Sequence, residues 1–123
     1  MKPLRILVAE DEAPLLEILL EGLRDDGFDV VGAEDGAQAL HLFRTAGPFD
    51  LLLVDEEMPR LTGRRLIQTL RAEGQRIPAV LFSGNLDLTA EEQVRLGVGP
   101  PLRKPLSLGE LARAIREAIA KTS

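Results

Sequence analysis

The chain has no cysteine, one histidine and no apolar run long enough to cross a bilayer. Without cysteine there is neither a disulfide framework nor thiol chemistry, which is compatible with the reducing cytoplasm where we expect the protein. The single histidine, His41, cannot form a metal cluster or a catalytic triad alone, and we interpret it as a helix-surface residue. A net charge of -5 disfavours direct binding of nucleic acid, because phosphate neutralisation needs a basic face. No membrane partner is expected.

Length and composition are typical of one small domain. The chain has 123 residues, of which 45% are hydrophobic and 28% are charged, and this is enough apolar material for a single core. Strand and helix patterns alternate with short turns and no linker, and the last helical pattern runs nearly to Ser123. We therefore expect a single domain over residues 1–123, with no output domain in this chain.

Five apolar runs of strand length organise the chain. The third, residues 51–54 (LLLV), is unbroken, which is typical of a central parallel strand buried on both faces. The fifth contains Pro100 and Pro101, which lack N–H donors, so this strand belongs at a sheet edge. Strands are predicted over residues 4–9, 28–33, 51–54, 79–82 and 98–103.

A segment of helical periodicity follows each strand. The spacing of Ser107 and Glu110 predicts the strongest capping box in the chain, at the start of the last helix. Thr89 and Glu92 have the same spacing, but the segment Ala90–Leu96 that they introduce has little apolar material. We expect that segment to be the least secure helix.

Alternating strands and helices with short connections predict a parallel sheet with helices on both faces. If the strand order begins 2-1-3, the ends of the first and third strands are neighbours at the point where the order reverses. Glu10 and Asp11 follow the first strand, and Asp55 follows the third. These three acids are then a few Å apart, unless they extend into solvent as part of an ordinary loop.

Three crowded carboxylates repel one another, and a bound cation relieves that repulsion. A hard divalent ion with oxygen ligands suits one or two carboxylates plus a phosphoryl group, which indicates Mg²⁺. Ser83 ends the fourth strand with a hydroxyl, and Lys104 follows the fifth with a cation. A carboxylate in such a constellation can attack phosphorus and form an aspartyl phosphate.

The chain closely resembles the receiver domain of two-component response regulators over nearly its whole length. The resemblance implies a flavodoxin-like (βα)5 fold, a five-stranded parallel sheet in the order 2-1-3-4-5 with helices on both faces. It also implies a signalling protein rather than a conventional enzyme, one that catalyses only its own phosphorylation and dephosphorylation. The residues that carry the resemblance are Glu10-Asp11 after LRILVA, Asp55 in LLLVDEEMP, Gly63 closing MPRLTG, Ser83-Gly84 and Lys104-Pro105.

The resemblance also implies a role for each residue of the site. Asp55 would accept a phosphoryl group from a histidine kinase or a histidine phosphotransfer protein, and Ser83 and Lys104 would contact that group. The signal would pass to an unknown downstream protein through the face shared by the fourth helix, fifth strand and fifth helix. The Lys104-Pro105 peptide bond is a candidate for the cis isomer. Mg²⁺ would be held by Glu10, Asp11, Asp55 and the backbone carbonyl of Glu57.

Two positions depart from the family pattern, and one of them is Leu106, which replaces the aromatic that often follows the Lys-Pro pair. Receivers usually carry Tyr or Phe three residues before the lysine of the fifth strand, where this chain has Pro101. Either output does not use a rotating aromatic ring, or the domain switches poorly. Glu57 and Asn85 lie two residues beyond Asp55 and Ser83, at positions that tune phosphoryl lifetime in the family.

Two other functions remain open at this point. The chain could be a degenerate receiver that acts as a phosphorylation-independent interaction module, for which the loss of the switch aromatic is the main support. It could instead be a phosphatase of the haloacid dehalogenase kind, which also uses an aspartyl phosphate. Those enzymes carry two aspartates two residues apart after the first strand, whereas Glu10-Asp11-Glu12 offers no such pair.

Overall fold

The computed structural model describes residues 2–121, in which five strands alternate with five helices. The strands are β1 (Arg5–Ala9), β2 (Asp29–Ala33), β3 (Leu51–Asp55), β4 (Ala79–Ser83) and β5 (Leu102–Arg103). The helices are α1 (Ala13–Asp25), α2 (Gly36–Thr45), α3 (Gly63–Ala72), α4 (Ala90–Leu96) and α5 (Leu108–Ala120). None of these helices is long and apolar enough to span a membrane.

All strand pairs are parallel, and the sheet order is β2-β1-β3-β4-β5. The predicted flavodoxin-like order 2-1-3-4-5 is therefore confirmed. Ala9 at the end of β1 pairs with Val54, so Glu10 lies beside Asp55 at the carboxyl edge of the sheet. The reversal of strand order at β1 and β3 is where doubly wound sheets bind ligands.

Two apolar layers cover the central strands, because side chains alternate between the faces of a strand. On one face, Leu52 and Val54 of β3 belong to a core that includes Leu66 and Leu70 of α3. On the other face, Leu51 and Leu53 pack in a core with side chains of α1 and α5. Burial on both faces explains why the third strand reads as an unbroken apolar run.

The fifth strand is shorter than its apolar pattern predicted. The prediction of a strand over residues 98–103 is wrong, because β5 contains only Leu102 and Arg103, paired with Phe82 and Ser83. Pro100 and Pro101 have no N–H to donate to a ladder, so pairing begins at the next residue. The predicted position of the strand at a sheet edge is confirmed.

The capping boxes at the starts of α4 and α5 differ in completeness from the prediction. At α4 the box is complete: the Thr89 hydroxyl accepts from the Glu92 N–H, and the Glu92 carboxylate accepts from the Thr89 N–H. At α5 the Ser107 hydroxyl accepts from Glu110 N, and no return bond is seen within residues 2–121. The strongest box therefore introduces α4, not α5. Among the residues of α4, all of which the structure describes, only Leu96 is buried. This short helix therefore depends on its N-terminal cap for stability.

Gly63 opens α3 against the end of β3, and we expect Gly63→Ala to destabilise the fold by about 2 kcal/mol. An added Cβ would lie 2.6 Å from the backbone oxygen of Asp55 and 2.6 Å from Leu81 Cδ1, so α3 or the strand end must shift. Urea unfolding of both proteins measures the loss. Gly99→Ala is the matched control, since no atom lies within 4 Å of its added Cβ. Equal losses in the two variants would contradict the steric explanation.

Candidate functional site

Side chains from three strand ends meet at the carboxyl edge of the sheet. One carboxylate oxygen from each of Glu10, Asp11 and Asp55 lies within 4.8 Å of the others. Glu10, Asp55 and Ser83 are fully buried, whereas Asp11 is exposed. The sheet therefore gathers the acids that the sequence predicted would meet, and Asp11 faces solvent at the entrance.

Backbone hydrogen bonds fix the two buried acids. The Glu10 N–H donates to Ala33 O at 3.0 Å, which continues the pairing of β1 and β2 by one residue. Glu10 Oε2 accepts from Glu12 N at 3.0 Å, and Asp55 Oδ1 accepts from Glu57 N at 3.1 Å. One oxygen of each carboxylate is thereby held by the loop that follows its own strand.

Lys104 supplies the positive charge of the site. Its Nζ donates to Asp55 Oδ2 at 3.1 Å and lies 3.7 Å from Glu10 Oε1. The side chain is 21% exposed, and its Nζ is 5.7 Å from the centre of the Phe82 ring. The Lys104-Pro105 peptide bond is cis, the isomer that the resemblance implied; the Gly47-Pro48 bond is also cis, which the sequence analysis did not predict.

Burial and crowding change the proton affinities of these groups. Burial is the main cause that raises the pKa of Glu10, to about 8, and the neighbouring carboxyl of Asp55 adds to it. Burial also raises the pKa of Asp55, although its bonds to Glu10 and Lys104 oppose the shift. Burial lowers the pKa of Lys104, but its hydrogen bond to Asp55 and the nearby carboxylates outweigh that effect and raise it. With all of these acids ionised, the buried site would therefore hold more negative charge than it accommodates without a further cation.

One oxygen of Glu10 lies 3.7 Å from Lys104 Nζ but accepts no hydrogen bond among the described residues, so it can take such a cation. Glu10 Oε1 is buried without a hydrogen-bond partner among residues 2–121, and a buried polar atom in that condition is costly. Asp11 and Asp55 each bring a carboxylate oxygen within 4.8 Å of a Glu10 oxygen. Three oxygen donors beside a solvent-facing opening fit a hard ion such as Mg²⁺.

For the metal-free protein we expect the free energy of unfolding to fall as pH rises from about 5 to about 8. The unfolded chain releases the Glu10 proton near the ordinary pKa of 4.5, whereas the folded state holds it up to about 8. The folded state therefore binds more protons across this window, and its advantage of a few kcal/mol is lost as pH increases. Urea unfolding in a chelator, repeated at several pH values, measures the slope.

Two variants and one addition test the origin of that slope. Glu10→Gln should reduce the slope to the part contributed by Asp55, whose pKa burial also raises, while Glu17→Gln, which changes an exposed acid of α1, should leave the slope intact. Mg²⁺ added at pH 8 should restore the lost stability, because the ion replaces the proton as the partner of the carboxylates. A slope in Glu10→Gln as steep as that of wild type would assign the pH dependence to groups other than Glu10.

Ser83 and Glu57 are joined in a way that the sequence analysis did not predict. The Ser83 hydroxyl donates to Glu57 Oε2, and Gly84 N donates to Glu57 Oε1 at 2.8 Å. Lys104 Nζ lies 4.0 Å from Glu57 Oε1. Sequence reasoning gave Glu57 a role through its backbone carbonyl, whereas its side chain also reaches into the site. The position of Glu57 two residues after Asp55 was the available signal.

Glu56, a buried acid that sequence reasoning left without a role, anchors the loop between β3 and α3. Its Oε1 accepts from Arg64 N at 2.8 Å, and its Oε2 accepts from Arg64 Nε at 3.1 Å. These bonds tie the first turn of α3 to the residue that follows Asp55. Glu56 is thus structural, and its neighbour Glu57 faces the opening.

The fold and the site together define a class of protein: a doubly wound α/β domain with an acidic cluster and a lysine at the switch point of its sheet. The family model of the response regulator receiver domain matches residues 6–116. The chain belongs to that family, and the resemblance drawn from the sequence is confirmed.

Curated relatives and solved structures agree with this assignment. Response regulator MprA of Mycobacterium sp. (strain KMS) is 34% identical over 123 residues, which cover 98% of this chain and 53% of that protein. Regulatory protein AtoC of Escherichia coli (strain K12) is 32% identical over 94% of this chain and 25% of its own length. The chain thus spans about half the length of MprA. The Francisella response regulator 1452 receiver domain superposes with a TM-score of 0.84 at 30% identity, covering 97% of this chain and 98% of that one.

Proposed function

We propose that this chain is the phosphoacceptor receiver of a two-component phosphorelay, with Asp55 as the acceptor. The donor would be a histidine kinase or a histidine phosphotransfer protein. The observation that carries the proposal is the pairing of a fully buried Asp55 with Lys104, whose Nζ is 3.1 Å from Asp55 Oδ2, beside two further acids. A structural ion pair alone would not need the additional carboxylates, which make the site costly.

The chemistry assigned to the site is phosphoryl transfer to a carboxylate. An Asp55 oxygen attacks phosphorus and forms a new P–O bond, while the bond from phosphorus to the donor breaks and its electron pair leaves with the donor. Lys104 binds the phosphoryl oxygens as a point charge, and Ser83 donates a hydrogen bond to them. When bound, Mg²⁺ would neutralise charge on those oxygens. Glu10, Asp11, Asp55 and the Glu57 carbonyl would hold it.

The output surface in this proposal is formed by α4, β5 and α5. Val94 of α4 is 82% exposed, and a groove between α4 and α5 is lined at its base by buried residues of β4, beside the short β5. When the phosphoryl group draws Ser83 toward it, the adjoining elements would rearrange this face for an unknown downstream protein. The exposed apolar side chain and the short edge strand support a protein partner rather than direct nucleic-acid contact.

Intact-protein mass spectrometry after incubation with acetyl phosphate tests the proposed function. We expect the mass of one added phosphoryl group when Mg²⁺ is present and no addition when a chelator replaces it. The added group should be removed by hydroxylamine, as an acyl phosphate is, and the modified peptide should contain Asp55. An unmodified chain under these conditions would reject the proposal.

A phosphorylation-independent interaction module is the second candidate. The specific observation in its favour is Pro101, which occupies the usual position of the switch aromatic and shortens β5. This candidate predicts that the acetyl phosphate experiment leaves the mass unchanged while the protein remains folded.

A further inference from the structure

The carboxylate of Glu57 lies across the opening of the site and is held by groups from two other loops. Its Oε2 accepts from the Ser83 hydroxyl, and its Oε1 accepts from Gly84 N at 2.8 Å. The ammonium of Lys104 is 4.0 Å from Oε1. One side chain therefore engages a hydroxyl, a backbone N–H and a lysine at once.

Those three donors are the ones that a phosphoryl group on Asp55 would require. Charged phosphoryl oxygens are stabilised by converging hydroxyl, amide and ammonium donors. The Ser83 oxygen already accepts from Asn85 N at 3.2 Å and from Leu86 N at 3.0 Å, so the oxygen is fixed in place. Its one hydrogen can serve Glu57 or an incoming anion, but not both.

Glu57 is also the member of this network whose side chain can rotate out of the site. Its side chain is 42% exposed, whereas Asp55 and Ser83 are fully buried. Its backbone N–H remains bonded to Asp55 Oδ1 at 3.1 Å whichever way the side chain points. Rotation into water would therefore release the three donors without disturbing β3 or the buried core.

We propose that the Glu57 carboxylate is an internal anion that occupies the phosphoryl-oxygen positions of the unphosphorylated protein. It must turn outward before Asp55 can be phosphorylated. This inference rests on the proposed function, since it regulates the same site. The fraction of molecules with Glu57 turned outward limits the rate, because a reaction through a minor state is slowed by the population of that state.

The first test compares initial rates of phosphorylation by acetyl phosphate with Mg²⁺ in four proteins: wild type, Glu57→Ala, Glu57→Asp and Glu17→Ala. We expect an increase of about tenfold in both Glu57 variants, the effect of losing one charge-assisted hydrogen bond. Aspartate keeps the charge but is one methylene shorter, so it cannot reach Ser83 and Gly84 together. Glu17→Ala removes an exposed acid of α1 that lies outside the site, and its rate should not change.

The second test needs neither donor nor metal. Amide hydrogen exchange at Gly84, followed by NMR in a chelator, should accelerate in Glu57→Ala and Glu57→Asp and stay unchanged in Glu17→Ala. Unaltered exchange in the Glu57 variants would overturn the proposal, because the Gly84 N–H would then not depend on this carboxylate.

The outcomes separate this inference from the proposed function. Phosphorylation of every protein at the same rate, or more slowly in Glu57→Ala, retains the function and overturns the inference. Faster reaction in Glu57→Ala but not in Glu57→Asp would assign the effect to charge alone and also overturn it. Modification of wild type that is slower than that of both Glu57 variants supports the inference and the proposed function together. If no protein is modified, the proposed function fails and the inference fails with it.

Discussion

Asp55→Asn is expected to abolish phosphorylation completely and, at the same time, to stabilise the metal-free protein above neutral pH. The amide has the shape of the carboxylate but no anionic oxygen to attack phosphorus. Burial raises the pKa of Asp55, so the ionised acid is disfavoured in the folded state, and a neutral isostere removes that cost. We therefore expect a higher free energy of unfolding at pH 8 than in wild type.

Two measurements check this pair of effects. Intact-protein mass spectrometry with acetyl phosphate and Mg²⁺ should detect no phosphoryl group on Asp55→Asn, and urea unfolding in a chelator should show the higher stability. Asp25→Asn is the matched control, because Asp25 is exposed at the end of α1. It should retain both the phosphorylation and the stability of wild type. A phosphoryl group that persists in Asp55→Asn would mean that another residue is the acceptor.

The sheet and the meeting of the acids could be predicted because both depend on periodic burial. Residues 51–54 read as a buried strand, and parallel topology places Glu10 beside Asp55 without any knowledge of side-chain geometry. The apolar pattern predicts a longer fifth strand than the structure has, because such a pattern does not show that Pro100 and Pro101 lack the N–H donors that pairing needs. The length of this strand is set by which residues have a backbone N–H to donate, not by the apolar pattern.

The part of the site that sequence reasoning missed depends on side-chain direction. Glu56 and Glu57 are adjacent and chemically identical, yet Glu56 is buried against Arg64 and Glu57 reaches Ser83 and Gly84. Which of two neighbouring acids points inward depends on the path of the loop after β3. No periodicity encodes that path, so the sequence indicated an acid near the site but not the donors it contacts.

Lys104→Met is expected to weaken both the fold and the phosphorylation reaction. Methionine keeps much of the apolar stem but removes the ammonium, which leaves Glu10 and Asp55 buried without their cation. Removing one partner of a buried ion pair costs about 3–5 kcal/mol. The loss should be largest at pH 8 and smaller at pH 5, where Glu10, with its raised pKa, is protonated. Urea unfolding at the two pH values measures the difference.

The effect of Lys104→Met on phosphorylation can be separated from its effect on folding. We expect the initial rate with acetyl phosphate to fall by about 100-fold or more, as when one preorganised electrostatic donor is lost. Mg²⁺ should restore part of the stability, because the ion compensates the buried acids, but it should not restore the rate, because the ammonium at the phosphoryl oxygens is still absent. Lys2→Met, which changes an exposed lysine distant in sequence from Lys104, is the control, and its stability and phosphorylation rate should match those of wild type. A folded Lys104→Met protein that reacts at the wild-type rate would show that Lys104 serves only to pair Asp55.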